Sequence, residues 1–272
     1  MLPRGMQHVD RKELFTSLHV RVNFLKQFLG FGEDDLIALT EGHPYIKKAA
    51  PKVVNAVYKN LLHFDITARV FSNRDSRIEE DPEIWVAENS SAIENRKIFL
   101  RWFLTRLTSD PSDVGYWEYL DKVGFMHVGQ GRRNPLHVEY TFLGATLGYI
   151  QNAIVEAILS EPNLQIGRKI AIVKAFCKLI WIQNDLLARY HTHDGEEYQQ
   201  FSAENDVESD STSSKADCSA AMSINSTGTG YIKWVRNKEN MVTPSSNSSR
   251  SSLCPFGGVG LEDQRAELVT RK

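Results

Sequence analysis

The stretch YLDKVGFMHVGQGRRNP, residues 119–135, places a histidine between an apolar helical pattern and a turn rich in Gly and Arg. Four residues around it are spaced by four, three and four positions: Tyr116, Leu120, Val123 and His127. This spacing puts all four on one stripe of a helix. An imidazole on such a stripe is either a hydrogen-bonded core histidine or an axial ligand to a metal cofactor.

The two ring nitrogens of His127 decide between these interpretations. A buried neutral imidazole must satisfy both nitrogens or lose the free energy of their hydration. A backbone carbonyl one turn back can accept from Nδ1–H, which leaves Nε2 with a lone pair directed into the core. This arrangement suits a bond to haem iron. It also suits a core histidine bonded to a tyrosine, and the spacing alone favours the core interpretation.

Other metal and catalytic motifs are missing from the sequence. It has no H-E-x-x-H, no C-x-x-C-H and no Glu-x-x-His pair of the kind that di-iron bundles use. The cysteines at 177, 218 and 254 are too few and too scattered for a disulfide framework or a zinc site. No Ser/His/Asp arrangement or Gly-rich phosphate loop is recognisable either, so hydrolase and nucleotide-binding chemistry are not indicated.

The composition changes near residue 195 and predicts two regions. Residues 1–194 carry apolar side chains at helical spacing, whereas residues 195–272 are rich in Ser, Thr and Asn and predict a disordered tail. The formal net charge of −2 implies no attraction to nucleic acid. The start of the chain lacks the apolar core of a signal peptide, and no window approaches about 20 apolar residues. We therefore expect a cytoplasmic protein that does not enter membranes.

Gly, Pro and polar turn residues divide the first region into seven or eight helical segments with short links. This pattern predicts an all-α domain. We expect a helix over about 10–29, a short helix after Gly32, a helix from about 51 with Pro51 in its first turn, and a brief helix capped by Asp65. The remaining helices are expected over 91–107, along the Tyr116–His127 stripe, from Tyr140 to beyond Ile158, and from Ile166 onwards.

Three blocks in register resemble the protoglobins and the haem domains of globin-coupled sensors. The block VVNAVYKNLLHFDITARVF (53–71) is similar to the family's B and C helices, and KIFLRWFL (97–104) is similar to its E helix. The block YLDKVGFMHVGQG (119–131) is similar to the F-helix signature, in which a histidine follows Val-Gly-x-x. The resemblance covers roughly residues 10–192. It implies a globin fold with an extra N-terminal helix.

The resemblance also implies a haem b site. His127 matches the proximal iron ligand, Tyr58 matches the distal B-helix tyrosine, and Phe99 matches the bulky E-helix residue that closes the distal side. Further residues expected to line the porphyrin are Val123, Leu143, Thr146, Leu147 and Ile150. Thr146 stands near a position that the family often fills with Phe. Arg132 and Arg133 are candidates for pairing with haem propionates, although a solvated loop pair is the simpler interpretation.

The function implied is reversible binding of dioxygen, carbon monoxide and nitric oxide, for sensing or scavenging. Two alternatives stay open. One is a haem enzyme with nitric oxide dioxygenase or peroxidase-like activity, which would need an external reductase because no flavin or nicotinamide motif is present. The other is a haem-free helical interaction module. The resemblance further implies a homodimer formed through the last two helices.

Overall fold

The computed structural model describes residues 3–113 and 115–198, and within this part every named element is an α-helix. The helices are α1 (Arg11–Thr16), α2 (Leu18–Leu29), α3 (Glu33–His63), α4 (Asp65–Asn73), α5 (Ser91–Leu107), α6 (Tyr116–His127), α7 (Tyr140–Leu159) and α8 (Ile166–Ala188). The predicted all-α fold is confirmed. The predicted tail lies almost wholly outside the described residues.

Helices α5 to α8 begin where the sequence pattern predicted them. Helix α5 spans exactly the expected range, because Ser90 ends the preceding loop in an extended conformation and its Oγ accepts from the Ile93 amide at 3.3 Å. Serine at this position satisfies a donor that would otherwise have no partner in the first turn.

The single helix expected over about 10–29 is wrong, because Ser17 divides it. Ser17 is extended, with φ −108° and ψ 117°, and its Oγ accepts from the Val20 amide at 3.4 Å. Its hydroxyl therefore caps α2 and does not continue α1. Similarly, α4 begins at Asp65 itself and Phe64 takes the cap position, so the cap predicted at Asp65 is displaced by one residue.

The two helices expected after Gly32 and from about residue 51 are one helix, α3, and the predicted break is wrong. Pro44 and Pro51 both lie inside it. An interior proline costs about 3 kcal/mol or more, because it removes a hydrogen bond and crowds the preceding turn. The buried stripe continues across both prolines: Leu39, Gly42, Ile46, Ala50, Val53, Val54 and Val57. Burial of this continuous face outweighs the local cost.

Helix α3 runs through the core and packs against α5, α7 and α8. Each of these helices contributes a stripe that is almost wholly buried. The least exposed members are Ile46, Val54, Ile93, Leu104, Leu107, Ile154, Ile172, Leu179 and Leu186. The core thus forms around α3, with α6 held at one side by α8 and α2.

Gly124 sets the approach of α6 to α8. A Cβ atom at this position would overlap the backbone carbonyl of Leu186 and would lie 2.9 Å from the Tyr190 ring. Asp121, one turn earlier on α6, accepts from Arg189 at 3.0 Å and from the Tyr190 hydroxyl at 2.7 Å. Because Gly124 has no side chain, α6 can approach the C-terminal turn of α8 closely, and the ion pair between Asp121 and Arg189 holds it there.

Helix α7 is long and apolar enough to pass a composition test for a membrane span, the one helix in the described part that does so. Core helices pass the same test, and α7 turns Leu147, Ile150, Ile154 and Ile158 into the core. The result is weak evidence for a membrane.

We expect Gly124→Ala to lower the free energy of unfolding by about 1–3 kcal/mol, because the added methyl meets backbone that cannot move aside. Gly148→Ala is the matched control, since nothing lies within 4 Å of the added methyl. In the middle of α7 it should stabilise the protein by about 0.5–1 kcal/mol. Urea unfolding measures both, and equal midpoints for the two variants would contradict the close approach.

Candidate functional site

His127 is the last residue of α6, and its ring is held by its own helix. Nδ1 lies 2.6 Å from the Val123 carbonyl oxygen. Because a carbonyl can only accept, Nδ1 carries the proton and Nε2 carries the lone pair. Within the described part of the chain, Nε2 makes no hydrogen bond. The backbone partner one turn back is the one that the sequence predicted.

Burial keeps the His127 imidazole neutral. Burial is the largest of the causes that together lower the pKa of His127 to about 4; the Val123 carbonyl opposes the shift, and the positive charge of Arg132 supports it. A neutral imidazole is the form that binds a metal. At neutral pH the side chain therefore has a free lone pair at Nε2.

The exit from α6 is tied to the end of α4 through main-chain bonds. The Val138 amide donates to the His127 carbonyl at 2.8 Å, and the His137 amide donates to the Arg74 carbonyl at 2.9 Å. The His137 carbonyl in turn accepts from the Ser76 amide at 3.0 Å. Because both sides of the turn are fixed, the position of His127 does not depend on α6 alone.

Tyr58 lies on the buried face of α3 with 8% of its surface exposed. Its ring packs 5.9 Å from the Phe71 ring, centroid to centroid. Burial raises the pKa of Tyr58 to about 12, while Arg96 acts in the opposite direction. The hydroxyl therefore keeps its proton at neutral pH. In the described residues the hydroxyl has no hydrogen-bond partner, so its proton is free to be donated to a ligand.

Arg96 is a residue of this site that the sequence analysis missed. It is half-buried on α5, and its charge acts on both Tyr58 and His127. The buried stripe of α5 includes Ile93, Leu104 and Leu107, and a three- to four-residue spacing from Ile93 leads directly to position 96. The sequence signal that could have identified Arg96 is a cationic residue on the apolar stripe of α5.

The other predicted site residues differ in burial. Val123, Leu147 and Ile150 are buried in the core, and Leu143 is partly buried against it. Thr146 is half-buried, and its hydroxyl donates to the Phe142 carbonyl at 2.7 Å. Phe99 is 38% exposed, and its role in closing the distal side stays a prediction.

The aromatic residues of α5 and α6 also differ in burial. Phe103 and Tyr116 are buried, whereas Trp102 is 62% exposed and lies at the surface. The Tyr116 hydroxyl donates to the Leu107 carbonyl at 2.6 Å, so its role is in the core. The helix period of α5 explains the difference, because Trp102 and Phe103 are adjacent and point to different sides.

Several polar groups near His127 fit haem, which is a flat macrocycle with two carboxylate side chains. Arg132 is half-buried, and no carboxylate of the described residues pairs with it. His137 Nδ1 and His191 Nε2 are buried without a hydrogen-bond partner in this part of the chain, and the two rings lie 6.1 Å apart. A free Nε2 at His127, a cation at the helix exit and an apolar lining are the groups that haem requires. Arg133 is exposed.

Among the described residues, no three His, Cys, Asp or Glu side chains cluster closely enough to hold a metal ion. His127 is the single ligand that the sequence predicted for this site. That donor set suits an iron whose other ligands come from a porphyrin.

The chain is similar to a known protein family and to a solved structure. The protoglobin family model matches residues 18–197. The globin domain of a Geobacter sulfurreducens globin-coupled sensor is similar in structure: it is 16% identical, with a TM-score of 0.49, over 62% of this chain and 97% of that domain. No protein of curated function matches significantly. The family match covers more than half of the sequence, and the chain belongs to the protoglobin family.

Proposed function

We propose that the chain is a haem b globin that reversibly binds dioxygen, carbon monoxide and nitric oxide, in sensing or scavenging. The observation that carries this proposal is the geometry of His127: Nδ1 is bonded to the Val123 carbonyl, and Nε2 is left free. Membership of the protoglobin family supports a gas-binding role of this general kind. The near-neutral charge and scattered cysteines favour a cytoplasmic setting.

Haem, when bound, would supply the iron at which a gas is taken up. His127 would hold that iron through Nε2. The hydrogen bond from Nδ1 to the Val123 carbonyl fixes the tautomer, orients the ring and makes Nε2 a stronger donor. Arg132 at the helix exit is placed for a propionate by its unpaired charge.

Tyr58 would discriminate among gases by donating a hydrogen bond. Its raised pKa keeps the hydroxyl protonated, and its buried position gives the bond more weight than it would have in water. Dioxygen gains more from such a donor than carbon monoxide does, because it accepts more charge on binding. The buried side chains of Val123, Leu147 and Ile150 would exclude water from a bound haem and so would slow oxidation of its iron.

The outer faces of α7 and α8 are suited to a homodimer. Large apolar side chains remain exposed on both helices: Tyr149, Leu159, Ile166, Ile170 and Trp181. Ile170 and Trp181 are separated by three helical turns, so they lie on the same side of α8. A second copy that packs its own α7 and α8 against them would bury these groups in a four-helix bundle.

We expect His127→Ala to abolish stable haem binding, because it removes the imidazole whose Nε2 is left free on the stripe of α6. The absorption spectrum of the purified protein, ferric and ferrous with carbon monoxide, measures this. His43→Ala is the control: His43 is half-buried like His127, but its ring is bonded to Thr108. A wild-type protein that stays colourless after addition of haemin would identify a haem-free module instead.

Tyr58→Phe should raise the dissociation rate of dioxygen about tenfold, which corresponds to the loss of one hydrogen bond of about 1.4 kcal/mol. The rate for carbon monoxide should change little. Laser photolysis and stopped-flow mixing measure the two rates. Tyr140→Phe, which removes a hydroxyl bonded to Asn184, is the control and should leave both rates unchanged. An unaltered dioxygen rate in Tyr58→Phe would remove the distal role.

Sedimentation velocity at micromolar concentration should show a dimer for the wild type and a monomer for Trp181→Glu, since a buried carboxylate without a partner is costly. Phe28→Glu changes a residue on α2 that is 78% exposed and should leave the dimer intact. A monomeric wild type contradicts the assignment.

A further inference from the structure

The end of the described chain is fastened to helix α1. Arg11 Nη1 donates to the Tyr198 hydroxyl at 3.0 Å and forms an ion pair with Glu197. The guanidinium carbon of Arg11 lies 4.9 Å from the centroid of the Phe15 ring, and a Cβ atom at Gly195 would overlap the same ring. The chain beyond residue 198 therefore starts beside α1.

An open groove lies next to α1, between residues 7–13 and helix α2. It has a volume of about 860 Å³ and is lined by Gln7, His8, Val9, Phe24, Gln27 and Phe28. The Phe24 and Phe28 rings, 5.7 Å apart, form its apolar wall, and Phe28 is largely exposed. An aromatic wall that faces solvent favours an apolar occupant. The volume is sufficient for an aromatic side chain and its backbone.

The sequence that follows Tyr198 supplies an aromatic side chain within reach of the groove. It reads QQFSAENDV, residues 199–207, which lie outside the described residues, and Phe201 is its first large apolar residue. Arg11 contacts the chain end, whereas Asp10 borders the groove, so both lie against α1. Three residues of chain reach about 10 Å, which is about the width of a helix. Phe201 therefore has enough chain to pass α1 and enter the groove.

From this placement we propose that residues 199–207 of the same chain dock in the groove, with the Phe201 ring against Phe24 and Phe28. The segment is tethered at Tyr198, and a short tether gives an effective concentration of about millimolar. A modest apolar contact is therefore enough to keep the groove occupied. A second copy or another protein would have to displace a segment that is already attached. The proposal does not depend on the proposed haem function.

Docking would hold the start of the tail on an element that supports the candidate site. Helix α2 packs against α6, and Lys26 Nζ on α2 lies 5.9 Å from the centroid of the Trp117 ring on α6. Helix α6 ends at His127. The groove is thus separated from the helix of the predicted iron ligand by α2 alone.

Photo-crosslinking of the full chain tests the proposal. Phe201→benzoylphenylalanine should crosslink to peptides that contain residues 7–9 or 24–28, and mass spectrometry identifies them. Irradiation of mixed isotope-labelled and unlabelled protein, after exchange of subunits, should join only peptides that carry the same label. Peptides of mixed label would place the segment on a second copy and overturn the proposal. The absence of crosslinks to the groove would also overturn it.

Two substitutions distinguish docking from accidental proximity. The yield of the groove crosslink should fall about fivefold in Arg11→Ala, because the chain end is released and the effective concentration drops. It should fall by at least as much in Phe28→Glu, because the apolar wall then carries a charge. Arg4→Ala is the matched control, since Arg4 is an exposed arginine of the same N-terminal segment, and its yield should be unchanged. A yield that is equal in all three variants would contradict docking.

Chymotrypsin cleavage gives a second measurement on the chain without a crosslinker. A docked Phe201 is shielded, so cleavage after it should be about fivefold faster in Phe28→Glu than in the wild type. Cleavage after Tyr231, in the same tail, is the internal reference and should keep its rate. Equal rates after Phe201 in the two proteins would show that the groove does not hold this segment.

Discussion

The structure depends on the hydrogen bond between Nδ1 of His127 and the Val123 carbonyl. It fixes the imidazole on the last turn of α6 and leaves one lone pair free. Helix α6 is in turn held by its packing: Gly124 lets it approach the backbone of α8, and Asp121 pairs with Arg189, the residue that follows α8. The position of His127 is therefore a property of helix packing as much as of one residue.

The long helix α3 carries the second predicted site residue. It carries Tyr58 near its C-terminal end, and its buried stripe continues across Pro44 and Pro51 to the packing partners α5, α7 and α8. An uninterrupted helix places the Tyr58 hydroxyl more rigidly than two short helices joined by a turn would. The two interior prolines are therefore tolerated in a helix whose buried face reaches as far as Tyr58.

Neutral and charged side chains occur together around His127 and Tyr58. Around His127 and Tyr58, burial favours the neutral form of both side chains, whereas Arg96 and Arg132 retain their charge. A neutral ligand donor and a protonated phenol suit uncharged gases. The unpaired guanidinium groups of Arg96 and Arg132 distinguish these surroundings from purely apolar ones.

The sequence by itself determined the all-α class, the bounds of α5 and α6, and the place of His127 on the stripe of α6, because helical period and capping are local properties. It also determined the family, because three blocks of the sequence occur in the order and at the spacing that resemble the protoglobins. Only the tertiary structure decided that Ser17 breaks the first helix, that α3 continues through two prolines and that Arg96 lies beside Tyr58. Each of these depends on burial between residues distant in sequence, which outweighs local preference and leaves no mark in the local pattern.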